Sequence, residues 1–324
     1  MKIKIFQILA LVLLLVAIPC YGMAANSRSD MKRAEKALAQ SDYQTAFSIY
    51  QRYAVDEKDP LAQFTLGLFY ENGWGKPIDR KKACELYEQA SAGDIPAAAH
   101  LAAECVLAGV HRPSAPDDAA ALLEQAGNQG HYLSFCSLGE LYMKGQGVAK
   151  DPAKGLEFCA QAANQNVPKA KLLMGQFLLE GDPAIRNYGE AINWFQAAAQ
   201  DDLPEAQYSL GIMARDGLGM EKNRQAAINW LEQAASQGYA PAYLPTGQLY
   251  ITPPPGAENL QPPAEELAKA YLWLSAAKNS ASNQDRADAE KALEGVLKTM
   301  PASWAPDLDQ KVAQHLAEYP PSKQ

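Results

Sequence analysis

A repeat of 36 residues limits this chain more than any other feature of its sequence. Six consecutive blocks begin at residues 61, 97, 133, 169, 205 and 241, and five of the six have a glycine at the same point. The residues of that column are Gly67, Ala103, Gly139, Gly175, Gly211 and Gly247. A fixed period of this length is typical of a solenoid, in which each unit packs only on its neighbours. The long surface of such a stack favours a protein that holds partners over one that transforms substrates.

Each block is predicted to form two helices joined by a glycine loop. In the block that begins at 205, alanine and leucine recur at helical spacing in both halves, and Gly217 and Gly219 separate the halves. The apolar positions are Ala206, Leu210 and Ala214 in the first helix, and Ala227, Trp230, Leu231 and Ala234 in the second. The other blocks repeat this plan, which predicts an all-α chain.

The pattern resembles the Sel1-like repeat family, a relative of the tetratricopeptide repeat. The motifs that carry the resemblance are Leu-Gly-x-x-Tyr in the first helix, the Gly-x-Gly loop, Asp79 or Asp151 soon after it, and Ala-x-x-Trp-Φ-x-x-Ala-Ala in the second helix. They cover about residues 45–281. The resemblance implies a right-handed α/α solenoid of helix pairs with a C-terminal helical cap. Three blocks depart from the pattern, at Ala103 with His111–Pro113, at Gly181–Pro183 and at the proline-rich loop after Pro253.

The period divides the chain into four predicted segments. Residues 1–24 are a signal peptide, 25–60 an N-terminal capping repeat, 61–281 the six repeats, and 282–324 the C-terminal capping helices with a loose tail. In the last segment, Ser282 with Asp285 predicts a helix start, and Pro301 separates it from a final helix.

The first residues have the composition of an export signal. Lys2 and Lys4 precede an apolar run, residues 8–18, that is too short for a comfortable membrane span, and Ala24 ends a plausible cleavage site. We therefore expect a periplasmic or secreted protein, soluble and without a transmembrane segment after processing. A lipid anchor on Cys20 is the alternative, although Pro19 fits that motif poorly.

Four cysteines remain after the predicted cleavage, and their placement in antiparallel helices favours one pairing. Cys84 and Cys105 are equidistant from one turn, and Cys136 and Cys159 from another. Among three connectivities this predicts Cys84–Cys105 and Cys136–Cys159 disulfides in an exported chain. Four buried free thiols are the alternative.

No motif of a known enzyme class, cofactor site or metal site stands out. The four histidines never lie three or four residues apart, so we expect them to be structural, with no metal and no cofactor bound. Ser275 and Lys278 fit Ser-x-x-Lys, but the accompanying elements of penicillin-recognising enzymes are missing. We expect that the protein is not an enzyme.

The first helices are predicted to line a concave groove, as in tetratricopeptide repeats. Mixed aromatic, aliphatic and polar side chains at those positions suit a protein or peptide partner. The predicted groove residues are Phe64, Leu68, His100, Glu104, Glu140, Leu172, Gln176, Tyr208, Ile212, Arg215, Leu244 and Gln248. A net charge of −8 with scattered lysine and arginine argues against nucleic acid.

These observations predict a non-enzymatic scaffold or adaptor of the bacterial envelope, or a secreted factor that contacts a host. Two alternatives remain. One is an enzyme acting on β-lactam or peptidoglycan, which is implied only by analogy with cysteine-rich members of the family. The other is a lipid-anchored assembly subunit of an envelope machine.

Overall fold

The repeats fold into consecutive antiparallel helices. The computed structural model describes residues 25–110, 116–253, 261–280 and 283–320, and these residues contain helices and loops but no β-strand. They divide into an N-terminal unit that ends at Asp151 and a C-terminal unit that begins at Pro152. Within each unit each helix packs on the next one along the chain, except that the last helix of the C-terminal unit packs on the helix two before it. The predicted all-α solenoid of helix pairs is therefore confirmed.

The N-terminal unit contains seven of the described helices. They are α1 (Ala25–Ala39), α2 (Tyr43–Asp56), α3 (Pro60–Asn72), α4 (Arg80–Ser91), α5 (Pro96–Leu107), α6 (Pro116–Asn128) and α7 (Leu133–Lys144). The first pair corresponds to the predicted capping repeat, and α1 begins earlier than the polar stretch near Asp30 suggested. The buried face of α2 consists of aromatic, isoleucine and alanine side chains that pack on α1 and α3.

The C-terminal unit contains nine of the described helices. They are α8 (Pro152–Asn164), α9 (Pro168–Glu180), α10 (Tyr188–Ala199), α11 (Pro204–Asp216), α12 (Arg224–Ser236), α13 (Tyr243–Ile251), α14 (Ala264–Ser280), α15 (Asn283–Thr299) and α16 (Ala305–Glu318). Short 3-10 turns precede α13 and α16. The last two helices lie beyond the periodic part, and both pack against α14.

Repeating capping residues explain where the helices begin. Asp79, Asn187 and Asn223 occupy one column of the period, and each side chain accepts a hydrogen bond from the backbone N–H three residues later. Such caps satisfy an N–H that the helix itself leaves unpaired. Proline occupies the first helical position of α3, α5, α9 and α11, where its missing N–H costs nothing.

Glycine loops end the first helix of three blocks. Gly73, Gly145 and Gly217 have φ of 67°, 69° and 76°, in the left-handed region that favours glycine. The second glycine of each loop, two residues later, is also left-handed. The period thus marks a backbone requirement as well as a packing pattern.

The block that begins at 169 ends its first helix differently. Gly181 has an extended backbone, and the Asp182 carboxylate accepts a hydrogen bond from the Ala184 N–H at 3.0 Å. This polar turn replaces the second glycine. The corresponding segments His111–Pro113 and Pro254–Pro255 lie outside the described residues.

The core is built where glycine on a first helix lets the second helix come close. A Cβ added at Gly67 would lie 2.5 Å from the Tyr87 ring, and one at Gly211 would lie 2.5 Å from Leu231 Cγ. Tyr87 and Leu231 are both fully buried. The glycine column of the period is therefore a column of helix contacts, as its position predicted.

Several predictions concern residues that the structure does not describe. The signal peptide and Cys20 lie outside the described residues, as does Ser282 of the predicted capping box. None of the described helices is long and apolar enough to cross a membrane. The proposed domain boundaries stay a prediction.

Candidate partner-binding surface

Polar side chains of α3, α4, α5 and the start of α7 lie side by side in the N-terminal unit. We call them the polar strip; its members are Glu71, Tyr87, His100, Glu104, His131 and Ser134. Each of the repeats that begin at 61, 97 and 133 supplies a side chain to it, and His131 comes from the turn before α7. The strip therefore depends on the stacking of neighbouring repeats.

Ser134 is the centre of this network. Its Oγ lies 2.9 Å from His100 Nδ1 and 2.7 Å from His131 Nδ1, and the two histidine rings are 4.6 Å apart. A hydroxyl has one proton, so Ser134 donates to one ring and accepts from the other. His100 Nε2 lies 3.4 Å from Glu104 Oε1. The His100 tautomer that donates from Nε2 to Glu104 accepts from Ser134 at Nδ1.

The charges of the strip are set by burial on one side and solvent on the other. Burial and the neighbouring His100 lower the pKa of His131 to about 4. The hydrogen bond from His100 lowers the pKa of Glu104. At neutral pH His131 is therefore uncharged, while Glu104 is a carboxylate with 60% of its side chain exposed.

A second carboxylate is held in the same way. The buried Tyr87 hydroxyl donates a hydrogen bond to Glu71, and Glu71 itself is exposed. Burial, followed by the Glu71 carboxylate, raises the pKa of Tyr87. Glu71, Tyr87 and Glu104 line one small cavity of about 160 Å³, together with the Cys84–Cys105 disulfide.

This geometry suits binding better than catalysis. Ser134 has no exposed surface, so a substrate cannot reach its hydroxyl. Among the described residues no group of three or more histidine, cysteine or acidic side chains is arranged to hold a metal ion. Two fixed, exposed carboxylates can instead bind a basic group on a partner.

The family follows from the repeats themselves. The Sel1 repeat model matches residues 60–94, 95–131, 136–167, 168–203 and 204–239, together more than half of the chain. The chain belongs to the Sel1 repeat family. The block that begins at 241 is not among the matched residues, although it forms the helix pair α13 and α14.

Solved structures agree on the fold. A protective antigen of uropathogenic Escherichia coli with an SLR fold superposes with a TM-score of 0.69 and 22% identity, covering 91% of this chain and 62% of the antigen. A Sel1 repeat protein from Oxalobacter formigenes has a TM-score of 0.62 and 22% identity, covering 77% of this chain and 99% of its own. At this identity the likeness shows the fold alone.

A curated relative matches only a part of the chain. An uncharacterized protein of Neisseria meningitidis serogroup B is 32% identical over 111 residues, which are 34% of this chain and 22% of the relative. The chain thus spans less than two thirds of that relative and of the Escherichia coli antigen. Sel1 repeats are typical of scaffolds for protein–protein interaction.

Three of the predicted groove residues lie in the core of this Sel1 repeat protein. Phe64, Leu68 and Leu172 are 3%, 8% and 0% exposed, so they are not available to a partner and the prediction for them is wrong. The Phe64 ring packs 5.9 Å from the ring of Tyr87, on the second helix of its own repeat. Phe64 and Leu172 of this column turn inward, whereas the polar His100 in the same column joins the strip.

The other predicted groove residues keep some exposed surface. In the N-terminal unit His100 and Glu104 belong to the polar strip, and the exposed Glu140 pairs with Lys144 at 2.8 Å. In the C-terminal unit six residues of α9, α11 and α13 are half-buried, namely Gln176, Tyr208, Ile212, Arg215, Leu244 and Gln248. Their role in binding stays a prediction.

Tyr208 and Arg215 are fixed by neighbours in the C-terminal unit. The Tyr208 ring lies 5.4 Å from that of Tyr239 in an edge-on arrangement. The Arg215 guanidinium forms two hydrogen bonds, of 2.7 and 2.8 Å, with the Asp216 carboxylate. Both side chains are therefore ordered before any partner arrives.

The four cysteines among the described residues are oxidised in the structure. Cys84 and Cys105 form a disulfide between α4 and α5, with a Cα–Cα distance of 5.7 Å. Cys136 and Cys159 are also disulfide-bonded. Disulfides are consistent with an exported protein.

The Ser-x-x-Lys fragment has partners of its own. Ser275 lies on α14 and is 7% exposed, and its backbone oxygen accepts a hydrogen bond of 2.8 Å from the Asn279 side chain. The Lys278 ammonium is 3.9 Å from Glu290 Oε1 on α15. A buried serine and a lysine that pairs with a carboxylate do not favour the Ser–Lys pairing that a nucleophile of this type needs.

The histidine pair was missed because it cannot be seen within one helix. His100 and His131 lie 31 residues apart in sequence but their rings are in contact, and the spacing of three or four residues used to search for pairs does not find them. His100 and Ser134 are separated by 34 residues, close to one period. A search for polar residues one period apart would have found that contact.

Proposed function

We propose that this Sel1 repeat protein is an exported, non-enzymatic adaptor that holds a protein or peptide partner on the faces of its first helices. The observation that carries the proposal is the polar strip, in which Glu71 and Glu104 stay exposed while buried partners fix them. Side chains that are ordered beforehand lose little entropy on binding. The partner segment expected there contains lysine or arginine, since a carboxylate binds either through charge-assisted hydrogen bonds.

Location in the periplasm or outside the cell is part of the proposal. The disulfide between α4 and α5 supports it, because such bonds persist in oxidising compartments. The apolar run of residues 8–18 after two lysines supports it from the sequence.

Affinity capture from envelope extract tests the adaptor function. Glu71→Gln combined with Glu104→Gln removes both charges but keeps an acceptor for Tyr87 and His100. Glu57→Gln combined with Glu124→Gln is the matched control, because both of those carboxylates are exposed and lie outside the strip. We expect a protein captured by the wild type and by the control, and reduced at least about tenfold by the strip variant.

The C-terminal unit is tested with a second variant. Tyr208→Ala combined with Ile212→Arg changes the half-buried row of α11. Loss of the same partner would place α11 in the binding face as well. Equal capture by wild type, strip variant and α11 variant would contradict binding on the first helices.

A further inference from the structure

The end of the C-terminal unit contains a groove of about 850 Å³ among α14, α15 and α16. The helices α15 and α16 each pack against α14, and the groove lies among the three. Two of these helices, α15 and α16, belong to the non-periodic part of the chain, and the groove shares no residue with the polar strip. Nothing in the proposed function uses it.

The lining residues follow helical spacing on all three helices. On α15 they recur at i, i+3, i+4 and i+7 from Glu290 to Leu297, and on α16 they do so from Asp309 to Leu316. On α14 they lie within the stretch from Tyr271 to Asn279. Each stripe is about two turns long, or roughly 11 Å. Three such stripes around one gap of about 850 Å³ leave room for another helix of two to three turns.

The bottom and walls of the groove are apolar. Leu293 and Val312 are 7% and 5% exposed and close the bottom. Leu316 is half-buried, and Leu297 is 53% exposed, one of the few large apolar side chains of the described residues with that much free surface. Exposed apolar side chains that border a groove mark a site of association.

The rim of the groove is acidic. The lining includes three carboxylates, those of Glu290, Glu294 and Asp309, and one cation, Lys278. Lys278 pairs with Glu290. Asp309 accepts a hydrogen bond of 2.7 Å from the Tyr271 hydroxyl. Glu294 is exposed and has no ion pair or hydrogen bond within the described part of the chain. Lysines 291, 298 and 311 lie on the same helices but do not line the groove.

We infer that this groove docks a short amphipathic helix of a partner protein, with an aliphatic stripe facing Leu297 and Leu316 and lysine or arginine beside it. The aliphatic stripe matches the helical spacing of the lining, as in other helix-in-groove complexes. The basic residues match Glu294, Glu290 and Asp309 and set the orientation of the helix. An acidic helix is repelled by the same three carboxylates.

A synthetic peptide probe tests the inference on the full mature chain. The probe is a fluorescein-labelled helix of about 14 residues with leucines at i, i+3, i+4 and i+7 and lysines on its flanks. Two control peptides have the leucines shuffled or every lysine replaced by glutamate. Fluorescence anisotropy measures binding at low salt. We expect the lysine peptide to bind at least about tenfold more tightly than either control.

Variants of the protein locate the site. Leu297→Arg and Glu294→Lys change exposed side chains, so the fold is expected to be kept, and each should weaken binding of the lysine peptide at least about tenfold. Asp288→Lys is the matched control on α15, exposed but outside the lining, and should leave the affinity within about twofold.

Three results would overturn the inference. They are no binding of the lysine peptide, equal binding of the glutamate peptide, and unchanged binding by Leu297→Arg. A fourth outcome assigns the groove to another occupant: dimerisation of the wild type in sedimentation, abolished by Leu297→Arg, would identify a second copy of this chain.

Discussion

The N-terminal unit exposes carboxylates on a buried polar network, whereas the C-terminal unit exposes leucine in a groove with an acidic rim. The polar strip lies within the periodic repeats, since Glu71, Glu104 and Ser134 come from successive blocks. The groove lies between the second helix of the last repeat, α14, and the two non-periodic helices that cover it. A regular stack thus repeats positions for polar contacts, and the helices that close it add a groove of a different character.

The two units also differ in how they are held together. A disulfide joins α4 to α5 in the N-terminal unit. In the C-terminal unit aromatic rings attach the last helix, since His315 of α16 lies 3.0 Å from the Tyr243 hydroxyl and packs against Trp273. We therefore expect the Cys84–Cys105 disulfide to contribute to the stability of the N-terminal unit, and the packing of aromatic rings to contribute to that of the C-terminal unit.

The largest expected effect comes from removing the Cys84–Cys105 disulfide. Its two cysteines are 21 residues apart, and a loop of that length contributes about 3 kcal/mol through the unfolded state. We expect Cys84→Ala with Cys105→Ala to lower the stability of the N-terminal unit by about that amount. Hydrogen exchange read separately for each unit is the measurement.

Exchange in α9 to α14 serves as the internal control for this variant. Those helices should exchange as in the wild type. If the C-terminal unit were destabilised as much as the first, the assignment of the disulfide to one unit would be wrong.

The next effect concerns close packing in the C-terminal unit. A Cβ at Gly211 would lie 2.5 Å from Leu231 Cγ and 3.1 Å from its backbone nitrogen. Overpacking costs about 1–3 kcal/mol, and the better helix propensity of alanine offsets about 1 kcal/mol. We expect Gly211→Ala to lower the free energy of unfolding by up to about 2 kcal/mol in urea denaturation.

Gly295→Ala is the matched control in the same unit. No atom lies within 4 Å of the Cβ position at this helical residue. The variant should therefore be more stable by about 0.5–1 kcal/mol. Equal effects of the two substitutions would show that helix propensity, and not the contact with Leu231, governs the glycine column.

A smaller effect is a dependence of the N-terminal unit on pH. Because His131 has a pKa of about 4 when folded and an ordinary value of 6.5, the unfolded chain binds its proton first as the pH falls. The contribution of neutral His131 is present above about 6.5 and is lost between that pH and about 4. Glu104, whose pKa is lowered by His100, loses its contribution as the pH falls through its folded value, in the same direction.

We expect a loss of about 1–2 kcal/mol over this range, reduced by the solvent that reaches both groups. His131→Gln should flatten the upper part of the profile, as measured by urea denaturation at several pH values. Parallel profiles for wild type and variant would show that His131 does not titrate differently on folding.

The smallest expected effect is on Ser275. Ser275 is buried and Lys278 pairs with Glu290, so the fragment should hydrolyse no β-lactam. Wild type and Ser275→Ala should give the same background rate with a chromogenic cephalosporin. Hydrolysis by the wild type that the variant loses would favour the enzyme alternative.

The repeated part of the fold could be predicted from the sequence, because each helix start and end is set by residues within a few positions of it. Asp79 and Asn223 cap helices through their own side chains, and Gly73 ends a helix through its own φ, so each signal is present wherever the residue recurs. The glycine column predicted close helix packing for the same reason.

The candidate site was predicted only in part, because it depends on contacts between residues that are far apart in sequence. Periodicity placed Phe64, His100 and Leu172 in one column, but the identity of the side chain decides which of them turns inward. The contact of His100 with His131 depends on how two repeats stack. The groove depends on α15 and α16, which have no period to reveal which faces remain open.

Site-specific photo-crosslinking is the most direct test of binding on the first helices. A photoreactive phenylalanine analogue would replace Ala108 at the end of α5, which lines the same cavity as Glu71 and Glu104, and, as the control, Glu124 on α6; both side chains are exposed. In living cells we expect one crosslinked protein at position 108, absent at 124 and reduced by Glu71→Gln. Crosslinks only at 124, or at both positions equally, would contradict a binding surface formed by the first helices.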